Sequence, residues 1–250
     1  MLVRSITCPS LLILSIFISA DAVAQKSSLP KWEAGLNLGA YVYQGDLTIH
    51  PIGSVETTRP GIGISVTRII SSAFSARLMF SMAKLSGDES IYNVPKFRQQ
   101  RNLAFDASVK ELGLSVHWNV FGTNYADVKF QPYVFAGVGA SFVNIKRDYS
   151  RFNVAYFGAE SPVATGLATD AATTPPKVVA VMPVGAGVRY NISDRLVLNL
   201  EGSYRLMRTD YLDGFSQAAN PDLKDHYSSL TVGISYKLGN KEKYGCPTAN

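Results

Sequence analysis

Three histidines, a scatter of internal charges, a crowd of loop carboxylates and one late cysteine are the residues of this chain whose types could do chemistry. His50 and His226 fall in polar stretches between patterned segments, where a His and a Ser at a membrane rim could serve a lipid deacylase or acyltransferase. No local nucleophile motif accompanies them or His117, so ordinary loop and lumen roles are expected and no enzymatic activity is assigned. Asp210, Asp213, Asp222 and Asp225 crowd one loop, but their spacing matches no calcium-binding loop, and neither metal nor cofactor is expected. Glu111, Glu201 and Arg205, with Arg77 and Arg189 as possible partners, sit on polar faces of alternating segments. Facing one another across a narrow lumen they would form an ion-pair network that plugs and rigidifies it. The alternative is a small channel or transport path lined by the same charges.

These residues must be carried by strands. From 32 to 43, Trp32, Ala34, Leu36, Leu38, Ala40 and Val42 alternate with Glu33, Gly35, Asn37, Gly39, Tyr41 and Tyr43, a period of two. The pattern recurs over 61–67 and 74–82, joined by a tight Ser71-Ser72 turn, and then over 132–144, 178–190, 195–207 and 227–238. One further segment, ending at Trp118, sets Leu112, Leu114 and Val116 against Glu111, Gly113, Ser115 and His117. Upstream of it Leu103, Phe105, Ala107 and Val109 take the opposite parity, which predicts either a bulge or a strand continuing beyond a membrane. Trp32, Tyr41, Tyr43, Trp118, Tyr190, Tyr204 and Tyr236 near strand ends suit interfacial anchoring, although Tyr41 and Tyr43 have inward parity.

Two signals decide where such strands live. One face is aliphatic and aromatic while the other is mostly Gly, Ser, Asn and Thr, the reverse of a soluble barrel with a charged exterior. Connections after the first, third, fifth and seventh strands are long (44–59, 86–102, 146–177 and 209–226), and the others are shorter. The expected fold is therefore all-β, a transmembrane antiparallel up-and-down β-barrel of about eight strands, with long loops extracellular and both termini periplasmic.

Composition agrees. Charged residues make up 17% of the 250 residues and hydrophobic ones 46%, against about a quarter charged in ordinary soluble domains. Mean hydropathy is only +0.06, and beyond the first twenty residues no apolar run is long enough for a helical span. Arg4, the apolar run 11–18 and the small-x-small site Ala22-Val23-Ala24 read as a removable signal peptide over 1–24. Cys8 precedes that run, which argues against a lipoprotein site. The barrel is expected over 25–240 and a periplasmic tail over 241–250. The net charge of +5 is scattered, without the basic clusters or zinc spacing of a nucleic-acid-binding protein. Cys246 becomes the one mature cysteine; in an oxidising compartment it suggests an intermolecular disulfide, the alternative being an unpaired thiol.

Tyr43-Gln44-Gly45-Asp46-Leu47, Arg101-Asn102-Leu103-Ala104-Phe105, Arg208-Thr209-Asp210-Tyr211-Leu212-Asp213 and Tyr244-Gly245-Cys246-Pro247 together resemble a family of small outer-membrane barrels from Bacteroidota. The similarity covers nearly the whole mature chain, and the family, long catalogued as a domain of unknown function, is PorG-like. The resemblance implies an outer-membrane component of the type IX secretion machinery that lies with a periplasmic ring lipoprotein and its partner protein. On that reading the tail residues Lys241, Lys243, Tyr244 and Cys246 would bind the envelope partner, alongside the lipid of the outer membrane.

Overall fold

The structure, a computed structural model, describes residues 31–50, 52–220 and 224–239. The expected signal peptide, Asp222, and the tail residues Lys241, Lys243, Tyr244 and Cys246 lie outside the described residues.

Strands β1 (Trp32–Gln44), β2 (Arg59–Ile69), β3 (Phe74–Asp88), β4 (Ala104–Asn119), β5 (Phe130–Asp148), β6 (Val178–Asn191), β7 (Leu196–Met207) and β8 (His226–Leu238) form a closed barrel. Each pairs antiparallel with the next, and β8 returns to β1 from Trp32 opposite Leu238 to Gln44 opposite His226. Closure leaves the sheet without an open end, as a barrel in lipid requires. Serine side chains pin the two tight turns: Ser71 Oγ accepts the Phe74 amide at 3.0 Å, and Ser193 Oγ accepts the Leu196 amide at 3.1 Å. The longer second turn is held to the first by Asn124 Nδ2 donating to the Ser71 carbonyl at 3.0 Å.

The outward face is an apolar belt. Leu36, Leu38, Ile64, Leu78, Leu114, Val138, Leu200 and Val232 are all exposed on it. At the turn end the outward row contains Trp32, Phe74, Trp118, Phe130, Tyr190 and Tyr236, with Phe74 opposite Trp118 and Phe130 opposite Tyr190. This is the aromatic girdle of a membrane interface. Tyr41 and Tyr43 do not join it. They are 2% and 0% exposed inside the barrel, as their parity dictates, so these two are lumen residues and not anchors.

The phase change along β4 has a single cause. The strand runs unbroken from Ala104 to Asn119, in continuous register with β3 and β5, so no bulge is present. Below Lys110 the outward residues are Leu112, Leu114, Val116 and Trp118; above it they are Ser108 and Asp106. The inward residues invert in step, from Glu111, Ser115 and His117 to Val109, Ala107 and Phe105. Lipid demands an apolar exterior, whereas water demands a polar one and allows the apolar side chains to pack inward. β3, β4 and β5 therefore rise past the belt and carry a conventional hydrophobic core between them and the long loops.

A charge placed in the belt tests this assignment. Leu114 lies mid-belt, opposite Leu78 and Val138, and Leu114→Arg is expected to cost about 2–4 kcal/mol in urea unfolding from lipid vesicles. Ser108→Arg, on the same face above the belt, is expected to stay within about 0.5 kcal/mol of the parent.

Candidate functional site

The lumen has two storeys. In the half nearer the turns, the charges singled out from the sequence are buried and paired. Arg77 Nη1 meets Glu201 Oε2 at 2.7 Å, and Tyr133 donates its hydroxyl to the same oxygen at 2.7 Å. Arg205 Nε lies 3.4 Å from Glu111 Oε2, and its guanidinium sits 5.3 Å from the ring centres of both Tyr41 and Tyr227. Tyr227 donates its hydroxyl to Glu111, while Ser203 and Ser229 each accept from Arg205 Nη1 at 2.5 Å. Arg189 is not part of this set: its partner is Glu33, at 2.5 Å. Glu33, Tyr133 and Tyr227 were missed as partners, although each has the inward parity that would have found them.

A cavity of about 20 Å³ remains among Arg77, Glu111, Ser115, His117, Glu201 and Arg205. That is room for roughly one water. His117 is buried, stacked on Phe135 with ring centres 4.8 Å apart, and its Nε2 lies 2.9 Å from Ser115 Oγ. This Ser and His face no space for a lipid substrate. His226 accepts the Met207 amide at Nδ1, and His50 lies exposed on the first long loop.

The upper storey is where the sequence motifs converge. The described residues of four long loops, within 45–58, 89–103, 149–177 and 208–225, fold over the mouth as a cap. They include α1 (Phe97–Arg101), α2 (Val154–Phe157) and α3 (Pro162–Ala172), helices that strand patterning did not predict. α3 starts where Ser161 caps it by accepting the Ala164 amide, with Pro162 at its first position. The apolar core below joins Tyr43, Leu47, Leu85, Leu103, Phe105, Leu167, Leu212 and Phe215, with Phe105 edge-on to Tyr43 at 4.8 Å.

Buried ions stitch the loops together. Glu89, fully buried, receives Arg101 through Nε at 2.9 Å and Nη2 at 2.5 Å, and Arg98 at 3.1 Å. Arg98 also donates to the carbonyls of Asp46 and Thr48, and Arg101 to that of Ala218, so one carboxylate organises three loops. Asp46 accepts the Asn220 amide at 2.7 Å. Asp170, on α3, accepts the consecutive amides of Ser216, Gln217 and Ala218 at 2.8 to 3.1 Å, which fixes the fourth loop onto the third. Gly214, with φ at +88°, carries the chain over Arg147 in a conformation that suits glycine.

At the centre lies Tyr43. Its hydroxyl stands 2.6 Å from Asp213 Oδ2 and 2.6 Å from Asp225 Oδ1. One phenol has one proton to donate, so the second short contact needs a proton on a carboxylate. Asp225 Oδ2 accepts the amides of Leu212 at 2.9 Å and Asp213 at 3.4 Å, and Asp213 Oδ1 accepts that of Phe215 at 2.8 Å. The two carboxyl groups and the phenol therefore share protons as one unit, with Tyr43 donating to one carboxylate and a protonated carboxyl completing the second contact. Burial, then the Asp225 charge, pushes Asp213 well above the carboxylate range. Burial also raises Asp225, to about 7, with Asp210 and Asp46 adding to it and the bonds from Tyr43 and Leu212 opposing. Gly45 packs so close that a Cβ there would collide with Asp225 and Tyr43. Of the loop carboxylates expected to crowd together, Asp213 and Asp225 meet over a tyrosine, and among the described residues no group of three or more metal-ligating side chains forms.

This combination of a closed eight-stranded meander, an outward apolar belt and a filled polar lumen defines a small β-barrel of the outer-membrane type. The chain belongs to the family described as a domain of unknown function, DUF6089, whose model matches residues 10–244. No curated protein matches it. Among solved structures it is similar to Neisserial surface protein A, with 12% identity, 83% of this chain and 97% of that chain covered, and a TM-score of 0.51. Ail of Yersinia pestis, in complex with the heparin analogue sucrose octasulfate, aligns at 9% identity over 83% and 99% of the two chains, with a TM-score of 0.44. OprG of Pseudomonas aeruginosa aligns at 12% identity over 84% and 98%, also at 0.44.

Proposed function

We propose that this protein is a non-conducting, non-enzymatic anchor in the outer membrane that docks an envelope assembly through its periplasmic end. The observation that carries the reading is the double seal: paired ions fill the lower lumen and the folded cap fills the upper one. A barrel so filled has its free surfaces at its two ends. At the turn end the second turn exposes Phe121 at 66%, together with Val120 and Val128 of the same turn, which suits contact with a protein or the membrane interface. The family resemblance points to the periplasmic ring of the type IX secretion machinery as the partner, with Lys241, Lys243, Tyr244 and Cys246 as its contacts and long loops extracellular.

Purified barrel mixed with the ring lipoprotein and its partner under non-reducing conditions is expected to co-purify with them, partly as a disulfide-linked species that Cys246→Ser abolishes. Absence of co-purification by both the parent and the variant would sink the ring assignment. In planar bilayers the barrel is expected to be electrically silent. Conductance that changes on Glu201→Gln would instead make the lumen a channel lined by Glu111, Glu201 and Arg205.

A further inference from the structure

We infer that the outer surface of β3, β4 and β5 holds the phosphate groups of an outer-leaflet glycolipid on Lys84 and Lys110. The register places Lys110 between Met82 and Phe142, at the upper rim of the apolar belt. Lys84 stands opposite Ser108, two positions along β4 from Lys110, on the same outward face. The two lysines are thus diagonal neighbours across one ladder, about 7–8 Å apart at the backbone. That separation lets two ammonium groups close on one phosphate between them.

Among the described residues no carboxylate stands directly opposite either lysine. Ser108 and Asn144 are the outward residues beside the pair; the outward carboxylate of β4, Asp106, is the other diagonal neighbour of Lys84 and stands opposite Lys146, leaving an excess of positive charge among Lys84, Lys110 and Lys146. Among the described residues neither Lys84 nor Lys110 makes an ion pair. At the turn end, by contrast, Arg68 lies over Trp32 with its guanidinium carbon 5.4 Å from the ring centre, and Lys237 donates to Asn191. Like charges on adjacent strands repel, and beside hydrocarbon the repulsion is poorly screened, so the pair calls for an anion at that depth. Met82 and Phe142 flank Lys110, and Phe80 and Leu112 lie one rung below, offering acyl chains a surface continuous with the belt. A ligand with a phosphate head at the belt's rim and several chains beneath it fits; a small soluble anion would use the head contacts alone.

The inference rests on the loop end facing the outer leaflet, and the test separates the two ideas because it uses detergent-solubilised full-length protein with no leaflet. Native mass spectrometry would read retention of bis-phosphorylated lipid A, dephosphorylated lipid A and phosphatidylethanolamine. The parent is expected to retain the bis-phosphorylated lipid preferentially, and Lys84→Gln/Lys110→Gln to weaken retention about 30-fold, roughly fivefold per lysine. Lys31→Gln/Lys129→Gln, at the turn end, is expected to leave retention unchanged, and millimolar inorganic phosphate not to compete. Equal retention by parent and Lys84/Lys110 variant, or of phosphorylated and dephosphorylated lipid, overturns the site. Displacement by inorganic phosphate overturns the lipid as its occupant. Because both lysines are exposed, the variant is expected to keep the heat-modifiable gel mobility of a folded barrel.

Discussion

At pH 8 the Asp225→Asn variant is expected to hold its loop cap more firmly than the parent, and at pH 4 the two are expected to match. The sign follows from the raised pKa of Asp225. A carboxylate that protonates more readily in the folded cap than in the opened one favours closure fully below about pH 3.9, and this advantage is lost as the pH rises through its folded value. A rise from 3.8 to about 7 corresponds to on the order of 4 kcal/mol. Asparagine is the uncharged isostere: it can still accept the Leu212 amide and donate toward Tyr43, and it has nothing to titrate. Hydrogen-exchange protection at the Leu212 and Phe215 amides, corrected for intrinsic rates, should fall from pH 4 to pH 8 in the parent and stay level in the variant. Tyr43→Phe should lower protection at every pH by about 1–3 kcal/mol, because both carboxylates then lose their shared partner. A parent profile that is flat, or that rises with pH, contradicts the shared-proton arrangement.

Removing Glu201 should have the largest effect in the lumen. Glu201→Ala strands the Arg77 guanidinium and the Tyr133 hydroxyl together, both buried in the lumen. Breaking one partner of such a buried pair costs about 3–5 kcal/mol, since the remaining charge has no compensation. The double change Arg77→Met/Glu201→Leu should recover most of that loss, because desolvating two ions offsets much of what their attraction returns. Urea unfolding from vesicles measures all three chains. A single variant that costs under about 1 kcal/mol would show that water reaches Arg77, and the seal proposed for the lower lumen would fail with it.

The barrel was legible because alternation is a one-dimensional signal. Each outward Leu and inward Ser reports the same wall, and a period of two survives without any knowledge of partners. The eight-strand count and the pattern of long and short connections follow from it, and the structure carries both. Which charges pair was less legible. Parity put Arg189 on the inside but could not choose between Glu201 and Glu33, because that choice depends on stagger around the barrel. For Tyr41 and Tyr43, closeness to a strand end suggested interfacial anchoring against their inward parity, and parity was the better guide. The cap was least legible. Asp170 holds three successive amides from 46 to 48 residues away, and Glu89 holds arginines on a short helix. Contacts between irregular loops leave no periodic trace, and only the motif segments around Tyr43, Arg101 and Asp210 hinted that these stretches belong together.

The inversion of faces along β4 also has a mechanical meaning. A push or pull along the barrel axis toward the turn end would drag Lys84, Lys110, Asp106 and Lys146 into hydrocarbon, while the girdle of Trp32, Trp118 and Tyr236 would leave its preferred depth at the other side. Each charge moved to mid-membrane is opposed by up to about 2–4 kcal/mol for a lysine. The wall thus behaves like a rivet with a head above the sheet it fastens: free to spin and diffuse sideways, and stiff against axial load.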